Sequence, residues 1–151
     1  MDAKARLAEE MKEALRGGDK VRLGALRMLS ASVKNREVEL RRQVDDEEFV
    51  EVASREVKRR KEAAEAFEQA GRAELAEKER REQAVLEGYL PPRMSEPEVA
   101  ALVDEAIEAT GASGPADLGK VMGYVMGKAK GRVDGGRVNQ LARTKLEGTG
   151  V

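Results

Sequence analysis

The residues best suited to chemistry lie near the end of the chain, where glycines and cations alternate over residues 119–136. Gly119, Gly123 and Gly127 repeat every four residues, a spacing that places all three on one stripe of a helix. Each glycine weakens a helix by about 1 kcal/mol relative to alanine, so the stripe predicts close approach of another backbone. Two interpretations stay open: tight packing between helices, or contact with an RNA backbone or a partner helix.

Cationic and amide side chains accompany this stripe. A glycine-rich turn that carries cations and leads into a helix N-terminus suits phosphate, and asparagine and glutamine could add contacts to bases or sugars. The predicted RNA-binding residues are Lys120, Lys128, Lys130, Arg132, Arg137, Asn139, Gln140, Arg143 and Lys145. The charge distribution agrees, because residues 118–151 carry seven cations and two carboxylates, whereas residues 95–117 carry six carboxylates and no cation.

The chain contains no histidine and no cysteine, so it lacks the commonest general base, metal ligand and activated nucleophile. The segment 123–129 has the wrong spacing for a phosphate-binding loop, and the segment 134–136 lacks the alternating oxygen ligands of a calcium loop. The sequence therefore predicts no catalytic residue, no metal and no cofactor. It also predicts no glutaminase, ATPase or amide-transfer activity from the chain alone.

A second basic run, Lys58-Arg59-Arg60-Lys61, lies in the first half of the chain. Four consecutive residues cover more than one helical turn, so the run wraps around its helix and forms no flat patch. We interpret it mainly as solvated surface, with at least one stem lying along the core.

Periodicity and capping signals predict an all-α protein, with an N-terminal multihelical domain over residues 1–92 and a small three-helix C-terminal domain over residues 93–151. Consecutive prolines, Pro91 and Pro92, cannot continue a helix interior, and a capping box begins at Ser95. The domain boundary is therefore predicted near the two prolines.

Capping chemistry also predicts the individual helices of the first domain. A first helix covers about residues 3–16 and stops at Gly17-Gly18, residues that tolerate the left-handed turn. Asp19 caps the second helix, and Asp45 with Glu48 forms the capping box of the third. A fourth, more exposed helix follows.

The second domain contains three predicted helices. The first ends at Gly111, the second runs from about Pro115 to Met126, and the third runs from about Gly135 to Leu146.

The absence of cysteine, of an apolar leader and of any apolar run of membrane-spanning length argues against export and insertion. From these features we expect a cytoplasmic protein with no membrane partner. The sequence does not specify an oligomeric state.

Several short motifs together resemble a known family. They are Leu26-Arg-Met-Leu29, Lys34-Asn35, Glu56-Val-Lys-Arg-Arg-Lys61, Tyr89-Leu-Pro91, Gly119-Lys-Val-Met-Gly123, Lys130-Gly-Arg132, Asp134-Gly135 and Val138-Asn-Gln-Leu141. The chain resembles the YqeY family, whose sequence is similar to the C-terminal tail of the GatB subunit of glutamine-dependent tRNA amidotransferases. The resemblance implies a helical domain followed by a smaller one, and a role in holding tRNA, because amide transfer and ATP use belong to other domains of the amidotransferase.

The leading hypothesis is therefore a tRNA- or RNA-binding accessory module whose partner is tRNA or another structured RNA. One alternative is a protein-interaction adaptor, in which the glycine stripe and the basic turn receive an acidic partner helix. Another is a component of the amidotransferase class, the carbon–nitrogen ligases that use glutamine as amido-N-donor.

Overall fold

A computed structural model describes residues 2–149 of the chain. These residues contain seven α-helices, one short 3-10 helix and no strand, which confirms the predicted all-α class. The helices are α1 Ala3–Gly17, α2 Lys20–Leu40, α3 Asp46–Gln69, α4 Ala73–Glu87, α5 Glu96–Thr110, α6 Leu118–Lys128 and α7 Gly135–Thr149, with the 3-10 helix Pro115–Asp117 before α6.

The helix ends follow the predicted capping chemistry. Gly18 ends α1 with a φ of 71°, in the left-handed region where glycine has no steric penalty. The Asp19 carboxylate accepts a hydrogen bond from the Arg22 amide at 3.1 Å and caps α2. Asp45 and Glu48 form the reciprocal capping box that begins α3.

Two compact units make up the structure, with the division between Pro91 and Pro92. α4 ends at Glu87 and α5 begins at Glu96, so no helix runs through the two prolines. The first unit contains α1 to α4 and the second contains α5 to α7. That each unit folds by itself stays a prediction.

In the first unit, apolar side chains from all four helices and one aromatic pair form the core. Its buried members are Leu7, Ala14, Ala25, Leu26, Leu29, Val33, Phe49, Val52, Ala53, Leu86 and Tyr89. The Phe49 and Tyr89 rings lie 6.1 Å apart between centroids. Because Tyr89 follows α4, this contact fixes the end of α4 against the start of α3.

The second unit packs α5, α6 and α7 around a smaller core of aliphatic side chains. Its buried members are Val99, Val103, Ala106, Val121, Val125, Val138, Ala142 and Leu146. None of the helices in the described part of the chain is both long and apolar enough to cross a membrane.

The structure changes one predicted helix. Pro115 begins a 3-10 helix, and α6 itself starts at Leu118 and continues to Lys128 rather than ending near Met126. Because α6 extends to Lys128, Gly127 lies inside a helix and the three glycines of the stripe share one element.

Candidate nucleic-acid interface

The three glycines of α6 lie on its exposed side. Gly119, Gly123 and Gly127 are all solvent-exposed, and a Cβ atom added to any of them would have no heavy atom within 4 Å. Packing against another part of the described chain therefore does not account for the stripe, although each glycine weakens the helix by about 1 kcal/mol relative to alanine.

A second stripe runs beside the glycines on the same helix. Lys120, Tyr124 and Lys128 are also spaced by four residues, each one position after a glycine, so they occupy the neighbouring row of the helix surface. Lys120 lies 3.7 Å from the Asp117 carboxylate and its side chain stays 68% exposed. This second stripe therefore places two cations and one aromatic ring side by side on the surface of α6.

Tyr124 and Lys128 share one carboxylate from α5. The Tyr124 hydroxyl and the Lys128 ammonium each donate to Oε2 of Glu105 at 3.2 Å. The Lys128 nitrogen also lies 4.8 Å from the centre of the Tyr124 ring. Hydrogen bonding to Tyr124 and then to Glu105 raises the pKa of Lys128, so this cation is fully charged at neutral pH. The predicted site had omitted Tyr124, although its spacing from the two lysines was available in the sequence.

The turn between α6 and α7 is held by Arg132. Its side-chain Nε donates to the Pro92 carbonyl at 2.8 Å, and its own carbonyl accepts from the Met94 amide at 2.9 Å. Lys130 is half-buried in the same turn and already interacts with other groups of the protein. Arg132 therefore stabilises the turn, which limits its availability to a ligand.

The N-terminus of α7 has an internal cap. The Asp134 carboxylate accepts from the Gly136 amide at 2.9 Å, so a negative group of the chain itself occupies the position where a phosphate was expected. This arrangement favours the α6 surface over the α7 N-terminus as the contact region.

Residues predicted on α7 do not share one surface. Arg137, Gln140 and Arg143 are exposed, whereas Asn139 and Lys145 are half-buried beside the core stripe. At about 100° per residue, these positions extend around more than half of the helix.

Two of the α7 cations pair with acids of α5. Nε and Nη2 of Arg137 donate to the two carboxylate oxygens of Glu96, each at 3.0 Å. The Lys145 ammonium lies 2.8 Å from the Asp104 carboxylate. Arg143 has no ion-pair partner among residues 2–149. The acidic segment thus neutralises part of the basic segment that follows it.

The basic run of the first unit is divided between surface and interior. Lys58 and Arg59 are exposed, but Arg60 is only 6% exposed. It lies 3.4 Å from the buried carboxylate of Glu56 and 2.9 Å from that of Glu82, although its Nε–H is not aligned for a hydrogen bond. The expectation that one stem lies along the core understated this burial, because the whole guanidinium is enclosed.

No group of three or more acidic side chains in the described part of the chain could hold a metal ion.

Comparison with known proteins relates the chain to a recognised group. A family model described as "Yqey-like protein" matches residues 4–146. The protein named "Altered inheritance of mitochondria protein 41, mitochondrial" from Pyrenophora tritici-repentis is 32% identical over 129 residues, which are 84% of this chain and 71% of that protein.

Proteins of the same name from two other organisms are also similar. The one from Eremothecium gossypii is 30% identical, over 82% of this chain and 70% of its own length. The one from Lachancea thermotolerans is 28% identical, over 76% of this chain and 63% of its own length.

These names overturn the predicted cytoplasmic location, because all three relatives are named as mitochondrial proteins. The prediction was wrong in its logic. The absence of cysteine bears only on the oxidising compartments in which disulfides persist, and it does not distinguish one internal compartment from another.

Proposed function

The chain belongs to the Yqey-like protein family, and we propose that it is an accessory module that binds tRNA or another structured RNA through the exposed face of α6. The family resemblance inferred from the sequence is thereby confirmed. The role in RNA binding is proposed from the similarity to the tail of a tRNA amidotransferase subunit and from the surface of α6. The proposal assigns no bond-making chemistry to the chain.

The observation that carries the proposal is the exposed glycine stripe. Replacing Gly123, in the interior of α6, by alanine would stabilise the helix by about 1 kcal/mol, and methyl groups added at Gly119, Gly123 or Gly127 would meet nothing in the described structure. The glycines lower the stability of α6, and no contact within the described structure explains them. Their exposed row is therefore suited to close approach by the backbone of another molecule.

The neighbouring stripe supplies the groups that RNA would contact. Lys120 and Lys128 can neutralise phosphates, and Tyr124 offers a ring against which a base can stack, an interaction worth about 1–3 kcal/mol. The pair between Lys128 and Glu105 is half-exposed on both sides, and such surface pairs contribute at most about 1 kcal/mol. A phosphate can therefore replace the carboxylate at little energetic cost.

Binding of fluorescently labelled tRNA at several salt concentrations tests the proposal. If Lys120, Lys128 and Arg143 each contact a phosphate in a single-stranded region, the log-log salt slope is about −2, from about −0.7 per contact. Replacing Lys120 and Lys128 by alanine should weaken binding and flatten the slope by about 1.4. Arg132 is kept, because its replacement would disturb the turn.

A matched control uses two exposed cations of the first unit, Lys58 and Lys78. Alanine at both positions changes the net charge equally and should leave the salt slope unchanged. Arg59 is unsuitable, since it lies 3.4 Å from the buried Glu56 carboxylate.

The variant Gly123→Leu tests close approach without changing charge. The open space at Gly123 predicts a folded protein of at least equal thermal stability that binds tRNA more weakly. Unchanged affinity and salt slope in the double lysine variant would overturn the proposed surface. Loss of a protein partner, but not of tRNA, in Gly123→Leu would favour the adaptor function instead.

A further inference from the structure

The first unit has an apolar groove on its surface, and the core members Leu7 and Val33 form part of its floor. The groove has a volume of about 480 Å³ and lies between α1 and α2. Its apolar lining comprises Leu7, Met11, Leu15, Leu23 and Val33. Leu15 is 62% exposed at one end of the groove, so a large apolar side chain remains in water there.

The groove has the length of a helix-binding site. α1 and α2 are joined by a tight turn, and the contacts of Lys4 with Glu37 and of Glu10 with Arg22 show that they lie antiparallel. The lining residues of each helix recur every three or four positions, so each helix contributes one straight wall. At 1.5 Å per residue the walls are about 20 Å long, which matches roughly four turns of a bound helix.

The rim of the groove is strongly basic. It carries Lys4, Lys12, Arg27 and Lys34 against the single carboxylate of Glu37. Lys4 pairs with Glu37 at 2.7 Å. The other three cations are exposed and have no ion-pair partner among residues 2–149.

We propose that this groove binds an amphipathic helix of a partner protein, with an apolar stripe in the groove and glutamate or aspartate side chains along both edges. The apolar floor gives the interaction its buried area, and the three unpaired cations select an acidic partner. The site lies in the first unit and is independent of RNA binding by α6.

Other occupants fit these observations less well. The phosphate backbone of RNA has no apolar stripe to cover Met11 and Leu15, and a membrane surface is too flat to enter a trough between two helices. A second copy of the chain would have to supply an acidic helix, but α5, the acidic helix of this structure, already buries its apolar side in its own core through Val99, Val103 and Ala106.

The test uses a synthetic helical peptide of about four turns, with leucine along one stripe and glutamate on both sides. Its binding to the full chain is measured by fluorescence anisotropy, beside a lysine-flanked peptide and a scrambled peptide of equal composition. The acidic peptide should bind about ten-fold or more tightly than the lysine-flanked peptide, since three surface charge pairs distinguish these two. It should also bind more tightly than the scrambled peptide, which keeps the charge but has no apolar stripe to enter the groove.

Variants then locate the binding site. Replacing Lys12, Arg27 and Lys34 together by glutamate should weaken binding of the acidic peptide about ten-fold and favour the lysine-flanked one. The matched control replaces three exposed cations elsewhere in the unit, by Arg55→Glu, Lys58→Glu and Lys78→Glu, and should preserve the original order. Leu15→Ser should weaken binding of the acidic peptide without changing charge, and thermal melts verify that each variant is folded.

Four results would overturn the proposal. The first two are equal binding of the acidic and scrambled peptides, and unchanged binding after the rim reversal. The third is stronger binding to vesicles of phosphatidylglycerol than to the peptide, which would assign the groove to lipid. A dimer in sedimentation equilibrium that Leu15→Ser dissociates would assign it to a second copy of the chain.

Discussion

The two units of the chain differ in where their charged side chains lie: the first unit buries some of them, and the second keeps its ion pairs at the surface. In the first unit, Glu56 and Arg60 are 2% and 6% exposed, and the Tyr89 hydroxyl donates to Glu10 from inside the core. In the second unit, every buried side chain of the described core is aliphatic, and the ion pairs between α5 and the two following helices lie at the surface.

This difference separates charges that hold the fold from charges that a ligand can use. A buried pair cannot lose one partner without leaving an uncompensated charge in a poorly solvated site. An exposed pair loses little when water or another ion replaces a partner. The cations in exposed pairs of the second unit, such as Lys128 and Arg137, can therefore exchange partners, whereas Arg60 is committed to the interior.

The largest effect that tests this contrast is expected for Glu56→Ala. Removing this carboxylate leaves Arg60 without its closest buried neighbour on α3 and breaks the 2.7 Å hydrogen bond from Ser32. Arg60 keeps its 2.9 Å contact with Glu82, so the free energy of unfolding, measured by urea denaturation, should fall by about 3 kcal/mol, the lower end of the range for breaking a buried pair. The comparator, Glu96→Ala, removes the exposed partner of Arg137 and should cost at most about 1 kcal/mol. Similar losses for both would remove the distinction between the units.

Hydrogen exchange of the Glu56→Ala variant shows which helices are destabilised. We propose that the units are separately cored, so exchange should accelerate in α2, α3 and α4 and stay unchanged in α5, α6 and α7. Equal acceleration throughout the chain would show that the two units unfold together.

Much of this fold was predictable because its signals are local. Capping depends on residues within one turn, so Asp45 with Glu48 and Ser95 with Glu98 could be identified from spacing alone. The stop at Gly17-Gly18 likewise needs only a residue that adopts positive φ, and the structure gives that role to Gly18. The structure confirms all three.

Features that depend on other helices were not predictable in detail. Which member of the run 58–61 is buried depends on where Glu79 and Glu82 of α4 lie, and the sequence does not give that position. The glycine stripe had two interpretations for the same reason, since only the packing of α5 and α7 shows which face of α6 is open.

The second effect in size concerns the two tyrosine hydroxyls. Burial and the hydrogen bond to Glu10 raise the pKa of Tyr89, so its hydroxyl remains a donor at all ordinary pH values. Tyr89→Phe removes a buried hydrogen bond to a charged group and should lower the free energy of unfolding by about 1.5–3 kcal/mol. Tyr124→Phe removes a hydrogen bond to the half-exposed Glu105 and should change it by less than about 0.5 kcal/mol. A larger effect at Tyr124 would show that its hydroxyl is structural.

Alanine substitutions of two glycines, one in each unit, should change the free energy of unfolding in opposite directions. Gly123→Ala should stabilise the second unit by about 1 kcal/mol, because the methyl group meets nothing and the helix gains propensity. Gly18→Ala should destabilise the first unit by about 1 kcal/mol, because its φ of 71° is unfavourable for alanine. Thermal melts measure both, and a destabilising Gly123→Ala would mean that the stripe already packs against something.

The smallest expected effect compares the two capping boxes as the pH changes. Hydrogen bonds from Arg42 and from the Asp45 amide lower the pKa of Glu48 from 4.5 to about 2. Since the folded pKa lies below the unfolded value, the carboxylate contributes stability that is present above pH 4.5 and is lost as the pH falls towards about 2.

Glu48→Gln keeps an oxygen that can accept from the Asp45 amide but loses the ion pair with Arg42, whose nitrogens lie 2.6 and 3.0 Å from the carboxylate oxygens. Its melting temperature should therefore fall below that of the parent chain at pH 7, and the two should converge as the pH drops through that window. Hydrogen bonds from Ser95, and more weakly the charge of Arg132, lower the pKa of Glu98. Among residues 2–149 no arginine donates a hydrogen bond to the Glu98 carboxylate, so Glu98→Gln should show a smaller difference at every pH. A pH dependence as large for Glu98→Gln as for Glu48→Gln would show that the capping hydrogen bonds, and not the ion pair between Arg42 and Glu48, determine the acid sensitivity of these helix ends.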